Sequence, residues 1–269
     1  MKEIKCLDHG FVKLIDVMGN DSAIVQAARV SYGEGTKAVS KDRGLIRYLM
    51  RYKHTSPFEM VEFKFHCKMP MFIARQWIRH RTANVNEVSG RYSILPNEQY
   101  VPQREDICFQ SSDNKQGRSD NSVSDEIIDS SIKILKEAFE TSTKAYNNLL
   151  DKNIAREISR ICLPLAQYTE WYWKIDLHNL FHFLRLRLHP HAQKEIRIYA
   201  EAIGALVKPI VPLAWEAFED YCLNSKELSC TELEIIKEMI KKSSSTFPLE
   251  HPKLSTRELA ELKRTFLDD

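Results

Sequence analysis

Glycine is scarce in this chain, 8 of 269 residues, and neither Gly-x-Gly-x-x-Gly nor Gly-x-x-x-x-Gly-Lys occurs. Those turns bring backbone N–H groups up to a pyrophosphate, so their absence excludes a Rossmann turn and a P-loop. Any nucleotide bound here is gripped by side chains. Gly-x-Ser-x-Gly is missing too, which removes the nucleophile elbow of an α/β-hydrolase. Six cysteines (Cys6, Cys67, Cys108, Cys162, Cys222, Cys230) are scattered without a C-x-x-C pair. That spacing excludes a zinc ribbon and a disulfide framework and fits reduced thiols in a cytoplasmic protein. No run of about 18 apolar residues exists to span a membrane. The longest candidate, Ala202 to Trp215, is broken by Lys208, Pro209 and Pro212. The opening MKEIKCLDHG carries no secretory apolar stretch. An excess of one charge is lacking as well: Lys plus Arg number 39 against 37 for Asp plus Glu, a net +2. So even a balance does not coat long nucleic acid by bulk charge, and a bound anion has to meet a local basic cluster.

Phe11–Val17 reads as a strand and Asp21–Val30 as a short helix opened by an Asp cap. Ser40–Tyr52 has helical spacing in Leu45, Leu49 and Tyr52. From Val61 to Met69 every odd position is apolar and every even one polar or charged, a strand with one buried face. Pro70 suits the first turn of a helix running to about His80, with Ile73, Trp77 and Ile78 inward. Residues Gln110–Ser124 form a polar loop, followed by a long amphipathic helix, Asp125–Leu150, with Ile128, Leu135, Phe139, Tyr146 and Leu150 on its buried stripe. Asn153–Cys162 reads as a helix, Tyr168–Ile175 as an aromatic strand, and Leu177–Leu188 and His191–Tyr221 as helices. Two capping boxes, Ser229-x-x-Glu232 and Ser255-x-x-Glu258, open short helices in the tail. The class is α+β, helix-rich with a small, mainly antiparallel sheet. Residues 1–221 form one domain and 222–269 a C-terminal helical extension.

The densest polar segment is Arg75-Gln-Trp-Ile-Arg-His-Arg81, continuing through Asn84, Asn86, Glu87 and Ser89 to Arg91-Tyr92. It holds four arginines and no lysine, and the guanidinium fork matches phosphate better than an ammonium does. Ser89-Gly90 adds a turn where backbone N–H groups can reach an anion. Trp77, Ile78, Val85 and Val88 are interleaved, which implies partial burial. A second cluster runs from Asp176 to His191, with His178 and His182 one turn apart and Arg185 and Arg187 on different helix faces. His189 and His191 complete a possible metal set, but no carboxylate or cysteine stands beside it, and H-E-x-x-H is missing. His54-Thr-Ser-Pro-Phe-Glu59 is a third polar knot, and Arg160 is an isolated cation among apolar neighbours that requires a counter-charge. An alternative reading of the arginine cluster is RNA binding, with Trp77 and Tyr92 as stacking faces.

Arg79-His-Arg-Thr-Ala-Asn-Val-Asn-Glu-Val-Ser-Gly-Arg-Tyr92 resembles the signature of flavin-dependent thymidylate synthases, R-H-R-x-x-S-x-N-E-x-S-x-R-Y, departing only at Asn84 in place of Ser. The similarity extends by eye from Gly10 to Tyr221, apart from the polar insert. It implies that family's fold and a homotetramer with FAD where subunits meet. It also implies dTMP formation from dUMP, with methylenetetrahydrofolate as carbon donor and NADPH as reductant. By the same resemblance Arg79, His80, Arg81, Glu87 and Ser56 (usually Thr) contact FAD, as do Asp176, Leu177, His178 and His182. Gln76, Trp77, Ile78, Arg79, Glu87, Val88, Ser89, Gly90, Arg91, Arg160 and Arg187 hold dUMP, His54 lies on the folate side, and no metal is implied. No cysteine sits in the Pro-Cys-His setting of the thiol-dependent thymidylate synthases. Uracil is then activated electrostatically, and Arg187 is the residue expected to do it. Ser89 has no histidine–acid partner in the sequence pattern and reads as a contact, not a nucleophile.

Overall fold

The computed structural model describes residues 2–30, 42–112, 115–242, 251 and 254–267. Its sheet has five antiparallel strands, β1 (Glu3–Cys6), β2 (Gly10–Met18), β3 (Glu62–Pro70), β4 (Asn84–Glu87) and β5 (Tyr168–Asp176), in the order β1-β2-β3-β5-β4. The helices are α1 (Asp21–Val30), α2 (Asp42–Arg51), α3 (Ser56–Glu59), α4 (Met71–Trp77), α5 (Asp125–Asp151), α6 (Arg156–Ser159), α7 (Leu177–Arg187), α8 (Lys194–Val207), α9 (Pro212–Phe218), α10 (Cys230–Lys242) and α11 (Thr256–Leu267). The chain divides into two compact units, Met1–Leu223 and Asn224–Asp269. Among the described residues no helix is long and apolar enough to cross a membrane.

The alternation in β3 works as its period demands. Phe63, Phe65, Cys67 and Met69 are fully buried, and Trp171, Trp173 and Ile175 of β5 join them on the same face. Trp77 of α4 drops onto this layer edge-on to Trp171 and Trp173 and stacks on Phe183 of α7. Burying such rings is the main stabilising contribution, at roughly 25 cal/mol per Å² of apolar surface. The opposite face of the sheet carries exposed or half-exposed pairs such as Lys64–Asp16 and Lys174–Glu62. Each contributes about 0–1 kcal/mol, so they reinforce register more than stability. Gly10 is required where β2 meets α8: an added Cβ would lie 2.0 Å from the Tyr199 hydroxyl and 2.7 Å from the Cys6 carbonyl oxygen.

Several expectations are corrected. Asp21 begins α1, but its carboxylate accepts from the Leu213 and Ala214 amides, so it caps α9 instead. The start of the Ser40–Tyr52 helix lies outside the described residues, and Tyr52 falls just past the end of α2. Pro70 closes β3 and serves as the N-cap of α4, where its fixed φ of −61° suits an extended ψ of 146°. Ile78 is not inward but 47% exposed. The Asn153–Cys162 helix is split into α6 and a 3₁₀ turn, and the stretch from His191 to Tyr221 breaks between α8 and α9. Along α5 only Tyr146 is buried in the single chain. Each of the two capping boxes forms reciprocally, Glu232 with Ser229 and Glu258 with Ser255.

Candidate active site

Three cavities are lined by residues of the expected site. The first, about 240 Å³, is an apolar chamber walled by Leu49, Phe58, Phe181 and Phe218, with Lys53, His54, Thr55, His178, His182 and Arg185 around it. The second, about 380 Å³, is lined by Arg79, His80, Arg81, Thr82, Ile175, Asn179, His182, Leu186 and Arg187. His182 belongs to both. The third, about 430 Å³, is lined by Glu87, Val88, Ser89, Gly90, Arg160, Ile161, Thr169 and their neighbours. It shares no lining residue with the other two. Arg185 and Arg187 indeed face different spaces, as their two-residue spacing requires.

The second and third cavities sit at opposite ends of β5. Ile175 touches one and Thr169 the other, six residues apart, which at about 3.3 Å per residue is roughly 20 Å. β4 spans the same gap between Thr82 and Val88. Nothing in Asn-Val-Asn-Glu marks this edge strand in the sequence, because all four residues are exposed and no buried face imposes an apolar alternation. The expected partial burial is therefore confined to Trp77; Val85 and Val88 are 37% and 43% exposed.

Several arginines away from the cavities are ion-paired. Arg29, Arg43, Arg47, Arg104 and Arg118 each meet a carboxylate. Among the described residues Arg79, Arg81, Arg160 and Arg187 meet none. Guanidinium groups that line cavities without an ion-pair partner are the electrostatic footprint of anionic ligands. Arg187 donates from Nε to His80 Nε2 at 3.1 Å and from Nη2 to the Gln76 carbonyl at 3.4 Å, which leaves Nη1 unengaged. Burial, the Arg187 charge and His182 pull His80 down to about 4. His80 is therefore neutral at pH 7, as an acceptor of the Arg187 N–H has to be. Burial also lowers Arg187 from its ordinary value, though a guanidinium remains charged.

The depressed His80 sets a pH dependence. Between its ordinary value of 6.5 and about 4 the unfolded chain binds a proton that the folded chain refuses. Stability therefore falls as pH drops through that window and is flat above it. Thermal melts from pH 4.5 to 7.5 are expected to rise less steeply with pH for His80→Gln than for the wild type. Coincident slopes would show that His80 does not titrate this way.

The third cavity is built around Gly90. A Cβ there would sit 3.0 Å from Leu95 and 3.2 Å from Arg160 Cδ, so glycine lets the Arg160 stem lie across the turn. Glu87 accepts from Thr169 Oγ1 at 2.5 Å. Ser89 Oγ accepts from the Arg91 amide at 3.3 Å. Arg91 itself lies off the cavity wall, paired with Glu157 at 3.4 Å.

The structure places four residues of expected contacts off the cavity walls. The Trp77 ring is wholly buried in the core and lines none of the three cavities. Leu177 is fully buried and its amide donates to the Val61 carbonyl. Asp176 caps α7, giving both carboxylate oxygens to Asn179, so Asn179 and not Asp176 stands on the wall. Ser56 is exposed on α3, and Thr55 faces the chamber in its place. Asn179, Thr82 and Leu186 were missed; only Asn179 left a signal, at the third position after an Asp cap. Among the described residues no three His, Cys, Asp or Glu stand close enough to hold a metal. The cysteines are free, with Cys6 pushed up to about 12 by burial and Cys67 raised well above its ordinary value, so neither offers a thiolate.

The fold and site define a protein whose arginine-lined cavities are of a size and charge suited to anionic, nucleotide-sized ligands. The comparisons carry this further. The family described as "Thymidylate synthase complementing protein" matches residues 13–213. A flavin-dependent thymidylate synthase of Treponema denticola is 59% identical over 239 residues, 89% of this chain and 90% of the relative. Another, of Wolbachia pipientis wMel, is 54% identical over 264 residues, 97% of this chain and 91% of the relative. The crystal structure of a UMP/dUMP methylase PolB from Streptomyces cacaoi bound with 5-Br UMP superposes with a TM-score of 0.73 at 34% identity, covering 82% of this chain and 98% of that one. The chain belongs to the flavin-dependent thymidylate synthases, methyltransferases that produce dTMP.

Proposed function

We propose that one active site is assembled from two copies of the chain, one giving the Arg79–Arg187 cavity and the other the Ser89–Arg160 cavity. The observation that carries this is the roughly 20 Å of β5 between them, longer than a mononucleotide. The residues that the family resemblance assigns to dUMP fall on both sides of that gap: Gln76, Arg79 and Arg187 on one, Ser89, Gly90 and Arg160 on the other. Large apolar side chains surround the second half, with Tyr92, Ile94, Ile158, Ile161 and Leu165 all at least 51% exposed. Such a patch calls for a cover, and a homotetramer supplies one.

FAD suits the residues present. Arg79 and Arg81 meet no acid and stand beside an apolar chamber, which pairs cations for a pyrophosphate with walls for a flat ring. His80, His178, His182 and Thr55 border the same space, and His54 opens on its folate side. Bound there, the flavin supplies the electrons for reductive methylation, drawn from NADPH, with methylenetetrahydrofolate as the carbon donor. The protein's own part is electrostatic. Arg187, held by His80 and Gln76, presents a guanidinium to the uracil ring and lowers the pKa of N3 by roughly 1–3 units. Arg160 and the Ser89-Gly90 turn receive the phosphate.

Two inactive variants test the assembly. Arg187→Ala and Arg160→Ala, each impaired alone, are expected to regain activity when co-refolded, because some mixed sites carry both wild-type halves. No recovery in mixed oligomers of demonstrated composition would sink the shared site. A visible flavin spectrum, bleached by NADPH with and without dUMP, checks the cofactor separately.

A further inference from the structure

We infer that Gln193 is a positioning residue for the nucleotide site, anchored by the polar insert through Arg118 and Glu195. The inference rests on the reading of Gln76 and Arg187 as nucleotide contacts. Gln76 Nε2 donates to Gln193 Oε1, and the Gln76 carbonyl accepts from Arg187 Nη2. Gln76 thus stands between the start of α8 and the activating guanidinium. A glutamine has three side-chain torsions, and an unheld carboxamide samples several rotamers and both flips. With its N–H₂ end engaged by Gln193, the Gln76 oxygen is the end left for a ligand.

Gln193 is the N-cap of α8, with φ −55° and ψ 134°. The next two residues are locked in place. Glu195 is 2% exposed; its Oε1 accepts from the Tyr100 hydroxyl at 3.2 Å and from Arg118. Lys194 Nζ meets Asp106 at 2.5 Å, and Arg118 Nη1 meets the same carboxylate at 3.3 Å. A buried carboxylate persists only when paired, so these four charges fasten Asp106 and Arg118 onto the first turn of α8. None of Lys194, Glu195, Asp106 and Arg118 lines the cavities. Through Gln193 the insert, otherwise remote from the chemistry, sets where Gln76 points.

Titration calorimetry of dUMP into the FAD-loaded enzyme tests the relay. Gln193→Leu is expected to weaken dUMP about tenfold, with FAD content and melting temperature unchanged. Combined with Gln76→Ala it should bind no more weakly than Gln76→Ala alone, because the two act through one contact. Arg118→Met should weaken dUMP and add nothing in the Gln193→Leu background. Should Arg118→Met fail to fold, Arg118→Lys keeps a cation beside Glu195 and is expected to show a smaller loss, about threefold. Additive losses in the Gln76/Gln193 pair, or wild-type affinity in Gln193→Leu beside an impaired Gln76→Ala, would overturn the relay. Wild-type affinity in the Arg118 variants would remove the anchor. An unimpaired Gln76→Ala would overturn the nucleotide assignment of Gln76 and the inference with it, a pattern distinct from the others.

Discussion

Arg187→Ala is expected to cut dTMP formation by about 10²–10³-fold while FAD uptake changes little. The asymmetry follows from geometry. Arg187 shares its cavity with Arg79 and Arg81, so on the proposed reading the cations assigned to the flavin's phosphates remain when Arg187 is removed. The uracil ring keeps no substitute, because N3 ionisation needs a fixed positive charge beside it. His80 cannot replace that charge, since it is held neutral by burial and by the guanidinium it serves. Arg187→Lys is expected to recover only part of the loss, as an ammonium cannot hold both His80 and the Gln76 carbonyl while facing the ring. Chromatographic assay of dTMP beside a flavin spectrum separates the two effects. Turnover within threefold of the wild type would end the activating role.

Trp77→Ala is expected to cost about 3–5 kcal/mol of stability, the range for truncating a buried large aromatic. The ring is fully buried and contacts Trp171, Trp173, Phe183 and Tyr199, so its removal leaves a hole that four large side chains cannot close. At about 2–4 °C per kcal/mol for a unit of this size, the melting temperature falls by roughly 10 °C. Calorimetric melting of the flavin-free protein measures it. An unchanged melt with lost dUMP affinity would restore Trp77 to the ligand site from which its burial removes it.

Trp77 also shows where sequence reasoning succeeds and fails here. The period-2 pattern of β3 and β5 fixed which faces are buried, because one face of a sheet is enough to impose alternation. The signature Arg79–Tyr92 identified the chemistry without locating it. A motif is a string, and β4 spreads this one between two cavities, a separation that no one-dimensional spacing reveals. Leu177 and Asp176 lie off the cavity walls for a related reason: both stand where a strand turns into a helix, and the turn needs an apolar anchor and a cap. Asn179 inherits the cavity wall from the cap it completes. Pro209 and Pro212 mark the break between α8 and α9, although helical spacing alone carries the reading through from His191 to Tyr221. The interlocked charges of Arg118, Asp106, Lys194 and Glu195 were not, since a polar insert reads the same whether its charges meet water or one another.

Asp21 receives the amides of α9 from 192 residues further along the chain. During synthesis α1 therefore emerges long before the helix it caps. At about 5–20 residues per second, its carboxylate waits on the order of ten seconds or more for those amides. β1 and β2 can pair early, but this contact cannot form until α9 has emerged. A ribosome stalled before α9 would have made every strand of the sheet and still leave the Asp21 carboxylate without its amides.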